Sequence, residues 1–182
     1  MRGRLICAAV LTMAAIPASA AVTVVGTTSA RMCYEAAESG LYNAGATAYC
    51  DKALSEEALT NYETVATFVN RGILKLKGGV TQAAISDFDA AIARDPNQAE
   101  AYLNKGVALS KNDGWAQALP MFSLAIEKNT NKPAVAYFSR GVAHEMTGDV
   151  QSAYYDYKQA STIDPQWKRP QAELTRFTVV RK

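Results

Sequence analysis

Residues able to do chemistry are few in this chain, and their spacing gives them little to do together. There is one histidine, His144. Glu145 follows it, but neighbouring residues on a helix do not face each other, so the two are no acid–base couple. A zinc site needs further nitrogen or sulfur ligands, and neither a second histidine nor a nearby cysteine supplies them. Asp87 and Asp89 look like paired carboxylates, yet two positions apart on a helix they point to different sides. No glycine-rich phosphate loop and no Gly-x-Ser-x-Gly elbow occurs. The chain is therefore read as non-enzymatic, with no cofactor and no metal, and His144 as a structural or surface residue.

Cysteines are the remaining reactive groups: Cys7, Cys33 and Cys50. Cys7 lies in a segment of its own kind. Arg2 and Arg4 make a positive start, Leu5 to Ile16 is an apolar run, and Pro17-Ala18-Ser19-Ala20 supplies small residues. That order is the signature of a secretory signal peptide, with the cut expected between Ala20 and Ala21. A retained membrane anchor is the competing reading, and the run is short for it. A lipidated cysteine would follow the apolar run, whereas Cys7 stands at its beginning, so lipidation is rejected. Loss of the signal removes two arginines and leaves 17 basic residues facing 17 acidic ones. A formally neutral exported protein is a poor nucleic-acid binder, which relies on a basic patch. A bacterial periplasmic location is expected, and no later stretch is long and apolar enough to span a membrane.

Cys33 and Cys50 survive that processing. An even count in an oxidising compartment favours a bridge. Two buried free thiols are the alternative, and a redox pair the remote one, since such pairs stand closer, as in Cys-x-x-Cys. Closing a loop of this size stabilises by about 3 kcal/mol in the chain-entropy model.

The elements that carry these residues are written in a motif that occurs three times. Phe68-x-x-x-Gly72 with Ala84-x-x-x-Phe88-x-x-Ala91 returns as Tyr102-x-x-x-Gly106 with Ala118-x-x-x-Phe122-x-x-Ala125, then as Tyr137-x-x-x-Gly141 with Ala153-x-x-x-Tyr157-x-x-Ala160. The glycines are 34 and 35 residues apart, a period that marks a repeat architecture. Each unit reads as two amphipathic helices. In the first unit, one helix is expected over about 66 to 77. A second then carries Ala84, Ile85, Phe88, Ala91 and Ile92 on one face. Gly78-Gly79 breaks the pair in its middle and Asp95-Pro96 ends it. Glycine inside a helix costs about 1 kcal/mol relative to alanine. Three in one phase mark close helix crossings, and the aromatics Phe88, Phe122 and Tyr157 are expected to fill the space between one pair and the next. The middle unit departs in two places: Asn129-Thr130 stands where Asp-Pro is expected, and Pro120 should remove a backbone hydrogen bond from its second helix.

These residues resemble the tetratricopeptide repeat family. The likeness rests on the aromatic and glycine of the first helix, the Ala-aromatic-Ala series of the second and the closing Asp-Pro. It covers about residues 65 to 167. The resemblance implies an all-α, right-handed superhelix of stacked antiparallel helix pairs. Residues 1–20 are then signal and 21–30 a β-prone leader. A degenerate repeat follows over 31–64, with Cys50 where the aromatic belongs. Full repeats span 65–98, 99–133 and 134–167, and a cap and extended tail occupy 168–182. The ends differ in charge: residues 31–64 hold two basic and six acidic side chains, residues 168–182 five basic and one acidic.

The family's first helices line a concave groove, and the matching positions here are Val69, Asn70 and Ile73, then Leu103, Asn104 and Val107, then Phe138, Ser139 and Val142. Asn70 and Asn104 each stand two residues before a repeat glycine, and an asparagine amide can both donate to and accept from a peptide backbone. The implied function is a scaffold that binds a peptide or helix segment of an envelope protein. Two alternatives stand beside it: a homo-oligomer whose apolar groove or ends are buried, and a groove filled by the protein's own leader or tail. Members of the family that hold chaperone C-termini use a basic clamp; Val69, Ile73, Val135 and Ser139 stand in its place.

Overall fold

The computed structural model describes residues 4–7, 20–25, 28–40 and 45–180. The greater part of the signal segment, 8–19, lies outside them. Among the described residues the elements run β1 (Arg4–Cys7), α1 (Ser29–Ser39), α2 (Ala46–Glu56), α3 (Asn61–Lys77), α4 (Thr81–Arg94), α5 (Ala99–Ser110), α6 (Trp115–Glu127), α7 (Pro133–Met146), α8 (Val150–Ile163), α9 (Lys168–Leu174) and β2 (Phe177–Val180). The helices form a tetratricopeptide-type stack in which each packs on its neighbours in sequence, and α1 and α2 both lie against α3. The two short strands pair antiparallel, Arg4 opposite Val180 and Cys7 opposite Phe177. The start of the chain and its β-prone tail thus meet beside α8.

The pairs are closed by backbone chemistry at their inner turns. Gly79, Asp113 and Gly148 all have positive φ, at 79°, 56° and 88°. Each sits just past a first helix, and the next amide bonds back across the turn: Val80 to the Lys75 carbonyl, Gly114 to Leu109, Asp149 to His144. This left-handed stop satisfies carbonyls that a helix end leaves orphaned. The outer turns use a second device. At Asp95 and Asp164 the carboxylate accepts from the amide two residues on, at 2.9 and 3.1 Å. The middle unit lacks that aspartate, and Asn129 at φ 59° ends α6 instead, with the Thr130 amide on the Ala125 carbonyl. The departure at Asn129-Thr130 is a change of stop signal. Helix α6 runs unbroken through Pro120.

Where the glycines fall, the structure shows which side chain each of them meets. A Cβ on Gly72 would lie 2.5 Å from Cε1 of Phe88, one on Gly106 2.6 Å from Cε1 of Phe122, and one on Gly141 2.9 Å from the Tyr157 ring. The aromatic of each second helix therefore rests on the glycine of its own unit, and Tyr157 also meets Phe177 beyond its unit, ring centroids 5.9 Å apart. Helix α3 also begins five residues before the expected start. Thr60 accepts from the Glu63 amide while the Glu63 carboxylate accepts from the Thr60 amide, a reciprocal capping box. Helix α9 occupies Lys168–Leu174, inside the 168–182 expected for the cap and tail, and Pro170 is tolerated within its first turn.

In the degenerate unit, Cys33 of α1 and Cys50 of α2 are joined as a disulfide, their Cα atoms 4.9 Å apart. Helix α1 is also held at both ends by charge. The Glu57 carboxylate accepts from the amides of Ser29 and Ala30, at 2.6 and 3.4 Å. Lys77 Nζ donates to the Ala37 carbonyl at 2.7 Å. An anion at the N-terminus and a cation at the C-terminus both complement the helix dipole. Burial opposes ionisation of Glu57, yet the hydrogen bonds from Ser29 and Ala30 outweigh it and hold the carboxyl below its usual range.

Candidate functional site: the groove and the leader lying in it

The first helices α3, α5 and α7 approach one another along one side of the stack. Their positions two before the glycine are Asn70, Asn104 and Ser139, all fully buried. What buries the first two is the chain's own leader. The Val22 amide donates to Asn70 Oδ1 at 2.9 Å, and Asn70 Nδ2 donates to the Val22 carbonyl at 2.7 Å. One side chain thus satisfies both backbone groups of one residue, as a neighbouring strand would. One repeat on, Asn104 Nδ2 donates to the Ala20 carbonyl at 3.3 Å and to Glu100 O of its own helix at 2.8 Å. Tyr62 Oη donates to the Thr23 carbonyl, and Arg31 Nη1 to that of Val24.

The leader's side chains alternate accordingly. Ala20, Val22 and Val24 are buried, while Thr23 and Val25 are exposed. Period two is the pattern of an extended segment with one face covered. The buried three share one apolar cluster with Val69, Ile73, Leu103 and Val107. Running from Ala20 at Asn104 to Val22 at Asn70, the leader crosses the units in the reverse of their sequence order.

Each candidate position can now be placed. Asn70 and Asn104 both reach the same extended segment, and Val69, Ile73, Leu103 and Val107 belong to the apolar cluster that it joins. They are not an open surface. Phe138 and Val142 belong elsewhere. The Phe138 ring stands 5.4 Å from Tyr157 and 4.9 Å from Trp167, and Val142 packs on the same C-terminal cluster. For these two the groove assignment is replaced by a core one, because the capping residues Trp167, Leu174 and Phe177 need an apolar face to cover. Ser139 Oγ is buried without a hydrogen-bond partner, as is Asn104 Oδ1. Tyr62 and Arg31, which hold the leader's carbonyls, were not legible as site residues: nothing in sequence relates them to residues 23 and 24.

The buried carboxylates form ion pairs within the stack. Arg71 grips the buried Asp87 through two bonds of 3.0 and 2.7 Å, and Arg140 grips Asp156 in the same way at 2.8 Å for both. Asp89 is exposed and pairs with Lys105, so Asp87 and Asp89 do face apart. His144 lies half-buried near Asp149 and Asp156, at 3.6 and 3.9 Å. Tyr157 donates to Glu145 at 2.9 Å, and burial, reinforced by the charge of Glu145, pushes its phenol well up. Among the described residues no group of three or more histidines, cysteines and carboxylates could hold a metal ion. Nor is any described helix long and apolar enough to cross a membrane.

The tetratricopeptide repeat family model matches residues 88–119, a window from the aromatic of α4 into the first turns of α6. No curated protein sequence matches the chain. Among solved structures, MamA is similar at 25% identity and a TM-score of 0.63, over 71% of this chain and 73% of MamA. The TPR domain of Arabidopsis OM64 is similar at 25% identity and a TM-score of 0.61, over 64% of this chain and 96% of that domain. The first TPR of Spaghetti (RPAP3), solved with the HSP90 peptide SRMEEVD, is similar at 22% identity and a TM-score of 0.58, over 61% of this chain and 87% of that one. The fold is that of a tetratricopeptide repeat array, and arrays of this kind are in general non-catalytic interaction modules.

Proposed function

We propose that this protein is an exported, non-catalytic interaction module whose groove receives an extended segment of an envelope protein in exchange for its own leader. One observation carries the reading. Asn70 already holds the amide and the carbonyl of Val22, so the groove has the chemistry to take an extended backbone. The Spaghetti array, solved with a peptide, is in keeping with that use of the fold. Residues 69, 70, 73, 103, 104 and 107 are the receiving surface, exposed to a partner when the leader leaves. Export rests on the arrangement of residues 1–20, and the Cys33–Cys50 pair suits an oxidising compartment. The test is co-purification from an envelope fraction with the wild-type chain and with the Asn70→Ala, Asn104→Ala variant. Loss of a partner with the variant is expected; equal recovery removes the groove from the function. N-terminal sequencing of exported protein should begin at Ala21, and an intact start at Met1 would overturn the export reading.

A further inference from the structure

We propose that the groove reads one kind of segment, an uncharged extended strand of pattern Val-x-Val, and that the leader, Val22 to Val24, is its tethered competitor. The inference rests on the proposed function above and names its ligand class. Three features define the class. First, Asn70 fixes the register, because it bonds both backbone groups of a single residue, the one at Val22. A slip by one residue turns every side chain to the opposite face. That slip would bury Thr23 and expose Val22 and Val24. Second, the covered positions that remain after cleavage at Ala20–Ala21 are β-branched, Val22 and Val24, at 7% and 0% exposure. Third, the fully buried polar side chains that meet the leader are neutral amides, Asn70 and Asn104, and the one cation that reaches it among the described residues, Arg31, is already paired with Glu35 and bonded to the Val24 carbonyl. A charged side chain on the covered face would be buried without a counter-charge, which is costly. The acidic peptides that basic clamps hold are thereby excluded.

A second, independent sign points to ligand capacity beyond the leader. Asn70 uses both ends of its amide, whereas Asn104 offers only Nδ2 to Ala20, a residue that cleavage removes, and leaves Oδ1, fully buried, without a hydrogen-bond partner. An extended segment whose backbone amide reaches Asn104 would complete there the pair of bonds that Val22 makes at Asn70.

A tethered segment competes at an effective concentration on the order of 1 mM. A leader whose own intrinsic Kd is about 10 μM would then make an external strand bind the wild-type chain about 100-fold more weakly than a chain whose leader is undocked. The experiment uses the full chain carrying Val22→Asp and Val24→Asp. The probe is a labelled peptide of the sequence Ala-Ala-Val-Thr-Val-Val-Gly, acetylated and amidated, followed by fluorescence anisotropy. The variant is expected to bind it, the wild type to bind about 100-fold more weakly, and Asn70→Ala in the variant background to abolish binding. A register-shifted peptide with Thr-Val-Thr at the three central places should not bind.

Equal binding of the shifted peptide, equal binding by the wild type, or no binding by a variant that keeps its helical circular dichroism and cooperative melting would each overturn the proposal. If the variant fails to fold, amide exchange on the wild type decides. The Val22 amide should be protected and should lose protection in Asn70→Ala; a freely exchanging Val22 amide sinks the idea. A protein that recovers an envelope partner through Asn70 yet ignores the leader peptide would keep the proposed function and lose this ligand class.

Discussion

Gly106 shows how much one hydrogen atom decides. An alanine there would place Cβ 2.6 Å from Cε1 and 2.7 Å from Cδ1 of Phe122, a ring with no exposed surface. The ring must move within a packed core, at a cost of about 1–3 kcal/mol, against a helix-propensity gain of about 1 kcal/mol. Gly106→Ala is therefore expected to lower Tm by a few degrees, and Phe122→Leu in the same chain to recover part of the loss. A thermal double-mutant cycle reads this directly; strict additivity of the two changes would show that the glycine serves some other purpose. The role of the glycines was visible in sequence because three share one phase. Their partner was not: both a contact within the unit and one between units agree with the spacing, and only helix packing chooses. Asp87 and Asp156 teach the same lesson. Each has its arginine sixteen residues earlier, Arg71 and Arg140, a pairing written in the repeat but unread because surface carboxylates are common.

At the scale of elements, the inner turns are one solution executed with two residue types. Gly79 and Gly148 take positive φ freely, whereas Asp113 does so at a cost of about 1 kcal/mol. Asp113→Gly is expected to raise stability by about 0.5–1 kcal/mol, seen as a higher Tm with unchanged helical signal. A decrease would mean that the side chain has work to do in the turn. Gly78-Gly79 is legible in the sequence as a turn, whereas Asn112-Asp113-Gly114 is not, since its glycine lies one place beyond the left-handed position. The start of α3 escaped for another reason. Residues 61–65 are polar on their outer face, and the capping box at Thr60 and Glu63 depends on side-chain geometry that apolar periodicity does not report.

For the whole molecule, the degenerate unit and the leader form one end that stands or falls together. Glu57 and Lys77 hold the termini of α1, Arg31 of α1 holds the Val24 carbonyl, and Cys33–Cys50 ties α1 to α2. Replacing both cysteines by alanine is expected to remove about 3 kcal/mol of chain-entropy stabilisation. The loss should be local. Amide exchange should rise across 29–39 and at Val22, while α5 to α8 keep their protection, because each unit of a repeat array contacts chiefly its neighbours. Uniform loss of protection along the array would contradict this division.

The sequence by itself determined the scaffold. Glycine, alanine and aromatic residues at fixed offsets within each unit dictate helix crossings that stack, and these are short-range patterns repeated. It also named Asn70 and Asn104, because their place two residues before a glycine recurs. The tertiary structure alone decided what those amides hold. Asn70 and Val22 are 48 residues apart and Asn104 and Ala20 are 84 apart. No periodicity links a strand to a helix face at such a distance. Hydrogen bonds between a backbone and a side chain leave no trace in residue type on the backbone side. A leader of small and β-branched residues fits a free tail as well as a docked strand. Burial of Ala20, Val22 and Val24 along the stacked first helices separates the two, and that face exists only once the units have assembled.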